Sequence, residues 1–369
     1  MSELFKFPED VIDGHIHITN WQTGGEVGYD NYFENYIEDV KAYINRVNLK
    51  HLNVASIAGT NSTYDFDQNI LCAILKLECE KVFVHGSLCH PIQPVRFPIA
   101  KDFDYVLQVK EMEELGFDGI KMLEGKPNSR KRLELPIDSP ELDDYYSYLE
   151  EKGTHVIFHV NDPDKFWDRT KVSPFCVSKG WVYDTPGFLS YEEHYTETLN
   201  MLKKHPTLHV TFAHLFFMSK QPERLTELLD TYPNMCIDIT PGGEMYVNMG
   251  KNPELWHNIF TKYQDRILFG TDCITGRPPE SMNKRCEIVY KFLTTTEKNT
   301  FGEEEDFVGL GLDADIVHKI MYQNFVNKVS DKPKPINKAA LVKYIEKYLP
   351  LTKNEHNRKM ILDYANKNL

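Results

Sequence analysis

The sequence predicts a (β/α)8 TIM barrel with additional helices after its last strand. Eight short apolar runs lie between residues 11 and 272, and an amphipathic stretch follows each of them. Strands that alternate with helices form parallel βαβ units, and eight such units close into a barrel. An open, doubly wound sheet is the alternative. No Gly-x-Gly-x-x-Gly motif follows the first run, which argues against the dinucleotide-binding form of that sheet.

The individual elements follow from apolar spacing and from turn residues. The predicted strands cover residues 11–19, 54–59, 82–86, 119–123, 156–160, 210–213, 235–239 and 267–272. Helical spacing predicts helices at about 33–47, 67–80, 102–115, 139–153, 190 onward, 222–231 and 253–262. Ser190 and Glu193 form a capping box that begins one of these helices. Residues 161–190 are irregular and aromatic, and we expect this long segment to cover the site.

The composition excludes several classes of protein. A hydrophobic content of 41% predicts a large folded core, and a net charge of −13 argues against a nucleic-acid-binding surface. No apolar stretch reaches the ~20 residues that a membrane span needs. Seven cysteines without a Cys-x-x-Cys pair predict reduced thiols. We therefore expect a cytoplasmic protein that binds a small-molecule substrate, with no nucleic-acid or membrane partner. Assembly into a homo-oligomer stays open.

We expect one domain over residues 1–369, because a barrel with extensions can occupy this length. Residues 297–369 are expected to form a C-terminal helical extension packed on the barrel. Within it, the acidic stretch 297–315 predicts a solvated loop, and Pro333 and Pro335 interrupt the helices that follow.

Side chains that bind metals occur near the C-terminal ends of the predicted strands. His15 and His17 are two residues apart in the first strand, so they point to the same face. His159, His214 and Asp272 lie at or next to the ends of strands five, six and eight. In a (β/α)8 barrel these ends form one rim, where the chemistry takes place. Imidazoles with one carboxylate suit one divalent transition metal, for which we expect Zn²⁺, with Mn²⁺ or Fe²⁺ as alternatives.

Several other polar residues have structural explanations. His155 and His209 begin their strands at the opposite rim, and Asp13 lies low in the first strand, so none of them is expected at the site. His85 in strand three fits either the core or a supporting contact, and His90 lies in a loop.

Five segments resemble the metal-dependent amidohydrolase superfamily, in particular its amidohydrolase-2 branch, in that family's strand order. They are Asp-Gly-His15-Ile-His17, Gly-Ile-Lys121-Met, Phe-His159-Val, Phe-Ala-His214-Leu and Leu-Phe-Gly-Thr-Asp272. The resemblance implies a metal site with the ligands His15, His17, His159 and Asp272. It also implies that His214 orients or protonates the substrate. It implies no particular substrate, because the branch includes hydrolases, decarboxylases and hydratases.

The sequence therefore predicts a metal-dependent hydrolase acting on a small amide, ester or lactone. Water acidified by the metal would attack the carbonyl, and Asp272 would accept its proton. His214 would polarise the carbonyl or stabilise the oxyanion. The alternative is a non-oxidative decarboxylase or hydratase of a conjugated or aromatic acid at the same site. A non-catalytic binding protein is the remote alternative, because such a protein would be expected to lose ligands.

Basic residues near the rim predict a substrate that carries a carboxylate. Lys121 in strand four could pair with a barrel carboxylate, hold a substrate anion, or be carboxylated to bridge two metals. We predict an unmodified amine and a single metal. Arg277 after strand eight, with Lys126 and residues 130–132 after strand four, offers further positive charge. The basic run also fits a purely solvated loop.

Overall fold

The centre of the molecule is a curled sheet of parallel strands. The computed structural model describes residues 4–18, 35–57, 67–90, 104–300, 306–352 and 354–369. The central strands are β1 (Ile12–His17), β2 (His51–Ala55), β3 (Val82–Ser87), β4 (Gly119–Gly125), β5 (Val156–Val160), β6 (Val210–Phe212), β7 (Met235–Asp238), β8 (Ile267–Leu268) and β9 (Cys273–Ile274). They pair in the order β8-β7-β6-β5-β4-β3-β2-β1-β9, and each pair is parallel.

The sheet closes where Gly14 of β1 meets the residue after β8. The backbone N–H of Gly14 donates to the carbonyl of Phe269, just after β8, at 3.0 Å. A Cβ at position 14 would lie 2.8 Å from that carbonyl oxygen, so the close approach requires glycine. The sheet is that of the (β/α)8 TIM barrel which the sequence predicts.

Helices surround the sheet. They are α1 (Tyr36–Val47), α2 (Asp67–Glu78), α3 (Tyr105–Leu115), α4 (Pro127–Leu133), α5 (Asp143–Lys152), α6 (Pro174–Ser178), α7 (Tyr191–Lys204), α8 (Pro222–Thr231), α9 (Gly243–Gly250), α10 (Pro253–Lys262), α11 (Pro279–Thr294), α12 (Ala314–His318), α13 (Asn324–Lys328), α14 (Lys338–Tyr348) and α15 (Glu355–Asn368). The bounds predicted for α8 and α10 are confirmed, because a proline at the first position fixes each start. The capping box of Ser190 and Glu193 is also confirmed.

Burial follows the predicted helical spacing. In α1 the buried residues are Tyr36, Val40, Tyr43, Ile44 and Val47, which form one face of the helix. Each such side chain contributes about 1.5–3 kcal/mol when it leaves water. The helix therefore packs on the barrel through this face and leaves its charged residues outside.

The eighth strand is broken, whereas the sequence predicts one continuous strand over 267–272. Residues 269–272 separate β8 from β9, and Asp272 has a φ of 51°. The break is held from β1, where the Asp13 carboxylate accepts from the backbone N–H of Thr271 at 3.0 Å and from its hydroxyl at 2.6 Å. The backbone of Asp272 thereby leaves the strand direction at the rim.

Other predicted boundaries are also wrong. Strand two begins at His51, because the polar residues before Val54 pair with β1 and β3. Residues 127–133 form helix α4 instead of a loop, started by Pro127. Residues 161–190 contain helical turns and α6.

The predicted acidic loop contains a small second sheet. β10 (Lys298–Asn299) pairs antiparallel with β11 (Phe307–Val308). The acidic residues 303–305 lie outside the described part of the chain.

The C-terminal helices contact the barrel through specific polar pairs. The Asn324 amide donates to the carbonyls of Gln264 and Ile267 at 2.6 and 2.7 Å. In α14, Lys347 and Tyr348 donate to Glu111 of α3 at 2.6 and 2.7 Å. All seven cysteines are free thiols, as predicted. Within the described ranges, no helix has the length and apolar character that crossing a membrane requires.

Candidate metal centre

His15, His17 and Asp272 converge at the C-terminal rim of the barrel. Each offers one ligand atom, and these three atoms lie within 4.8 Å of one another. The alternation of β1 puts both histidines on one face. The parallel register of β1 with β9 brings Asp272 beside them, and its backbone N–H donates to the His15 carbonyl at 2.8 Å.

A hydrogen-bond acceptor faces the Nδ1 atom of each histidine. Nδ1 of His15 lies 2.8 Å from the Asp238 carboxylate, and Nδ1 of His17 lies 2.6 Å from the carbonyl oxygen of Ala55. A ring nitrogen that faces an acceptor carries the proton, which leaves a lone pair on Nε2. Both imidazoles thus present Nε2 as a potential ligand.

The protonation states also suit a cation. Burial, with a smaller contribution from the Lys121 charge, lowers the pKa of His15 to about 3, so its ring is neutral at physiological pH. Burial raises the pKa of Asp272. The hydrogen bond and charge of His17, 3.3 Å away, and the charge of Arg285 outweigh that effect and hold the pKa well below its usual range. Imidazole lone pairs with an ionised carboxylate are the donors that Zn²⁺, Mn²⁺ and Fe²⁺ prefer, so these residues fit a divalent transition metal.

Lys121 lies directly against this group. Its side chain is fully buried in β4, and Nζ is 3.0 Å from Nε2 of His15. Burial lowers the pKa of Lys121 to about 8, while the charges of Asp238 and Asp272 act in the opposite direction. The Lys121 amine therefore contacts Nε2 of His15, the same atom that a cation would bind.

His214 follows β6 in an unusual turn. Residues 214–217 all have φ between 52° and 56°, a left-handed turn built from residues other than glycine. The backbone N–H of His214 donates to Asp238 at 2.8 Å, and Nδ1 lies 3.0 Å from the Thr240 carbonyl oxygen. The His214 ring lies 5.8 Å from the ring of His15. The structure thus places His214 next to the group, with Nδ1 protonated and Nε2 as a lone pair.

His159 lies outside the group that the described residues form. Its Nε2 is 3.2 Å from Asp162, and its ring lies 4.9 Å from the ring of His214. Asp162 also accepts from Lys126 at 2.6 and 2.7 Å and from the Tyr183 hydroxyl at 2.5 Å. The structure therefore brings together three of the four predicted ligands and links the fourth to the segment 161–190.

The basic residues near the rim have separate surroundings. Arg277 follows β9 and is half-buried, and its backbone N–H donates to Ile274 at 3.4 Å. Arg130 forms a bidentate pair with Glu197 at 2.9 Å, and Lys131 donates to the Pro186 carbonyl at 3.1 Å. Lys131 therefore contacts the segment 161–190, while Arg130 joins α4 to α7.

Sequence reasoning missed Asp238. This buried carboxylate accepts from Nδ1 of His15, from the backbone N–H of His214 and from that of Thr240. Burial raises its pKa, but the hydrogen bond and charge of His15 and the charge of His214 outweigh that effect and keep it low. The available signal was an acidic residue inside an apolar strand, Met-Cys-Ile-Asp238-Ile, where only a paired charge is tolerated.

His85, His90, His155 and Asp13 form buried hydrogen-bond networks. His155 at the opposite rim contacts His85 at 2.9 Å and the Thr211 hydroxyl at 2.8 Å. His90 pairs with Glu124 at 2.7 Å. Asp13 lies below the metal group, as expected, and acts by holding the break in the eighth strand.

The amidohydrolase family model matches residues 106–324, which is more than half of the chain. No curated protein matches the sequence. Among solved structures, a 2,6-dihydroxybenzoate decarboxylase has a TM-score of 0.53 at 12% identity, covering 89% of this chain and 98% of that one.

Two further solved structures have the same fold. A 4-oxalomesaconate hydratase from Rhodopseudomonas palustris has a TM-score of 0.52 at 13% identity, over 92% of this chain and 99% of that one. A probable 2-pyrone-4,6-dicarboxylic acid hydrolase from Acinetobacter baumannii has a TM-score of 0.51 at 14% identity, over 86% and 98%. At these identities the similarity shows the fold alone.

Proposed function

Because the chain belongs to the amidohydrolase family, we propose that it is a metal-dependent hydrolase of a small carbonyl substrate, an amide, ester or lactone. The observation that carries this proposal is the convergence of ligand atoms from His15, His17 and Asp272 within 4.8 Å at the barrel rim. This rim is where barrel enzymes hold their reacting groups.

These three residues would hold one divalent cation, with His159 as a fourth ligand. We propose Zn²⁺, with Mn²⁺ or Fe²⁺ as alternatives. When bound, such a cation supplies Lewis acidity that polarises a carbonyl and acidifies water. The neutral ring of His15 and the ionised Asp272 need no proton release before they act as ligands.

Asp272 and His214 would handle the proton. The ionised carboxylate of Asp272 accepts the proton of the attacking water and returns it to the leaving group. His214 faces the site with an unprotonated Nε2, because Nδ1 is held by Thr240. The neutral ring therefore acts as an acceptor that orients water, and it can polarise a carbonyl only after it has taken up a proton.

Lys121 and Arg277 would bind a carboxylate of the substrate. The Nε2 lone pair of His15 can serve either the Lys121 ammonium or a cation, so a loaded site leaves the ammonium available for an anion. A buried ammonium binds a carboxylate strongly because few waters compete with it.

A lyase acting at the same site is the second candidate. The observation that favours it is also the buried ammonium of Lys121, 3.0 Å from a ligand histidine. A positive charge at this place suits an acid that loses or retains its carboxylate, as in a decarboxylase or a hydratase. The two candidates share the metal ligands and differ in the product.

The test combines metal content, product and one matched pair of variants. Purified protein is analysed for metal, loaded with Zn²⁺ or Mn²⁺, and assayed against esters, lactones, amides and aromatic or conjugated acids. Asp272→Asn should lower turnover by roughly 100- to 10,000-fold, the range for loss of a general base. Asp265→Asn is the control, since Asp265 forms an exposed pair with Lys319 at 2.9 Å.

Each outcome decides between the candidates. Hydrolysis that depends on metal and on Asp272 supports the proposal, while release of carbon dioxide or addition of water to a double bond supports the lyase. Protein that binds no added metal, or keeps full turnover with Asp272→Asn, contradicts both.

A further inference from the structure

The carboxylate of Asp162 joins three parts of the rim. It accepts from Nε2 of His159 in β5, from Nζ of Lys126 just after β4, and from the hydroxyl of Tyr183 in the segment 161–190. The relative exposure of its side chain is 4%, so these contacts are shielded from water. Asp162, near the start of the segment 161–190, thus connects the ends of two barrel strands with Tyr183 further along that segment.

Asp162 has the same relation to His159 that other acceptors have to the remaining site histidines. Asp238 holds one nitrogen of His15, the Ala55 carbonyl holds one of His17, and the Thr240 carbonyl holds one of His214. In His15, His17 and His214 the held atom is Nδ1, whereas in His159 it is Nε2. The nitrogen left for a ligand role in His159 is therefore Nδ1.

Tyr183 carries this connection into the segment 161–190. The hydroxyl is 2.5 Å from Asp162, and the ring lies 4.9 Å from Trp167, edge to face. Nζ of Lys126, the other donor to Asp162, lies 5.4 Å from the ring centre of Trp181. Both tryptophans of the segment therefore contact donors of this one carboxylate.

We propose that Asp162 is a positioning residue which sets the tautomer of His159, directs its Nδ1 to the metal and reports metal ligation to the segment 161–190 through Tyr183. The inference rests on the proposed function, because it assigns His159 as the fourth ligand. Rotation of the His159 ring toward a cation changes the hydrogen bond to Asp162, and Tyr183 shares that acceptor. The environment of Trp167 changes with it.

The test measures Zn²⁺ affinity by competition with a chelator and tryptophan emission during the same titration. Asp162→Asn should weaken Zn²⁺ binding about 10- to 100-fold, the usual effect of losing the group that orients a ligand. Asp162→Asn with Lys126→Met removes both buried charges and should show the same loss, which guards against a folding defect. Tyr183→Phe should leave the affinity close to that of the wild type and abolish the emission change.

Asp164→Asn is the matched control. Asp164 is two residues away and forms an exposed pair with Lys220 at 2.8 Å, so affinity and emission should both stay as in the wild type. Unchanged affinity with Asp162→Asn and with the double variant would overturn the inference, as would an equal loss with Asp164→Asn. A persisting emission change with Tyr183→Phe would overturn its second part. Wild-type protein that binds no Zn²⁺ would contradict the proposed function itself.

Discussion

Two sides of the same rim hold their histidines through acceptors from different parts of the chain. On the β1 side the acceptors belong to barrel strands, since Asp238 of β7 holds His15 and Ala55 of β2 holds His17. Asp272 lies beside them because β1 pairs with β9. On the β5 side, His159 is held by Asp162, which is itself tied to Tyr183 in the segment 161–190. The β1 side is held by contacts within the barrel, while the β5 side is held by contacts with the segment 161–190.

Because of this difference, the affinity for a cation and the response of the segment 161–190 to a bound cation should depend on different residues. The β1 side presents three ligand atoms within 4.8 Å through contacts inside the barrel. On the β5 side, we propose His159 as a ligand whose orientation depends on Asp162 and, through it, on Tyr183. We therefore expect affinity to depend chiefly on the β1 side and the response of the segment to depend on the β5 side.

The largest expected effect comes from removing one ligand on each side. His17→Ala should abolish stoichiometric metal binding, because it leaves two ligand atoms in the preformed group. His159→Ala should keep metal, because the three preformed ligand atoms remain, and should weaken its binding by at least as much as Asp162→Asn, roughly 10- to 100-fold or more. Elemental analysis and chelator competition measure both variants. An equal loss of metal affinity in the two variants would show that the β1 and β5 sides contribute equally to metal binding.

A second variant tests how firmly the barrel holds the β1 side. Asp238→Ala removes the acceptor of three buried donors, from His15, His214 and Thr240. Each buried donor left unpaired costs about 1–3 kcal/mol, so the free energy of unfolding should fall by at least about 2 kcal/mol. Urea denaturation measures the change. Asp230→Ala is the control, as Asp230 makes an exposed pair with Lys262; a similar loss there would mean that the support is not specific.

The smallest expected effect is a pH dependence of stability in the metal-free protein. Burial lowers the pKa of His15 and His155 to about 3 and that of His194 in α7 to about 4. These values lie below the unfolded value of about 6.5, so the unfolded chain takes up protons first on acidification. The free energy of unfolding should therefore fall as the pH decreases from about 6.5 toward 4.

His194→Phe shows how much of this pH dependence of stability comes from His194. Among the residues that the structure describes, neither ring nitrogen of His194 has a hydrogen-bond partner, and the ring lies 6.0 Å from Trp167. Phenylalanine should raise stability by about 1 kcal/mol and flatten the acid limb, with Zn²⁺ affinity unchanged. Asp13 acts in the opposite sense, because burial raises its pKa to about 6 and it favours the folded state at lower pH. A profile that is identical with and without His194 would contradict the assignment.

The sequence predicts what local spacing and caps determine. Proline at the first position located α8 and α10, and the alternation of His15 and His17 located the β1 side of the rim. These features depend on neighbours within a few residues in the chain. The predicted barrel is confirmed because its strands and helices are determined by residues that are close together in the chain.

The remaining features depend on contacts between distant residues. The break in the eighth strand requires the Asp13 carboxylate to meet Thr271, and the support of His15 requires Asp238 from β7. The contact of His159 with Asp162 is likewise one that no periodicity marks. These partners come together only when the barrel closes. A single sequence therefore identifies the histidines but does not determine how their rings are oriented.

The left-handed turn at residues 214–217 has a consequence for the order of folding. Left-handed backbone costs roughly 1–2 kcal/mol per residue outside glycine, so an isolated chain does not hold this turn. In the folded protein, hydroxyls of Tyr195 and Tyr191 in α7 donate to the carbonyls of Phe216 and Phe217 at 2.9 and 2.7 Å. We therefore expect the turn to form only after α7 and the barrel have assembled. A partly folded chain would then lack a correctly placed His214, so we expect intermediates of synthesis or refolding to show none of the proposed activity.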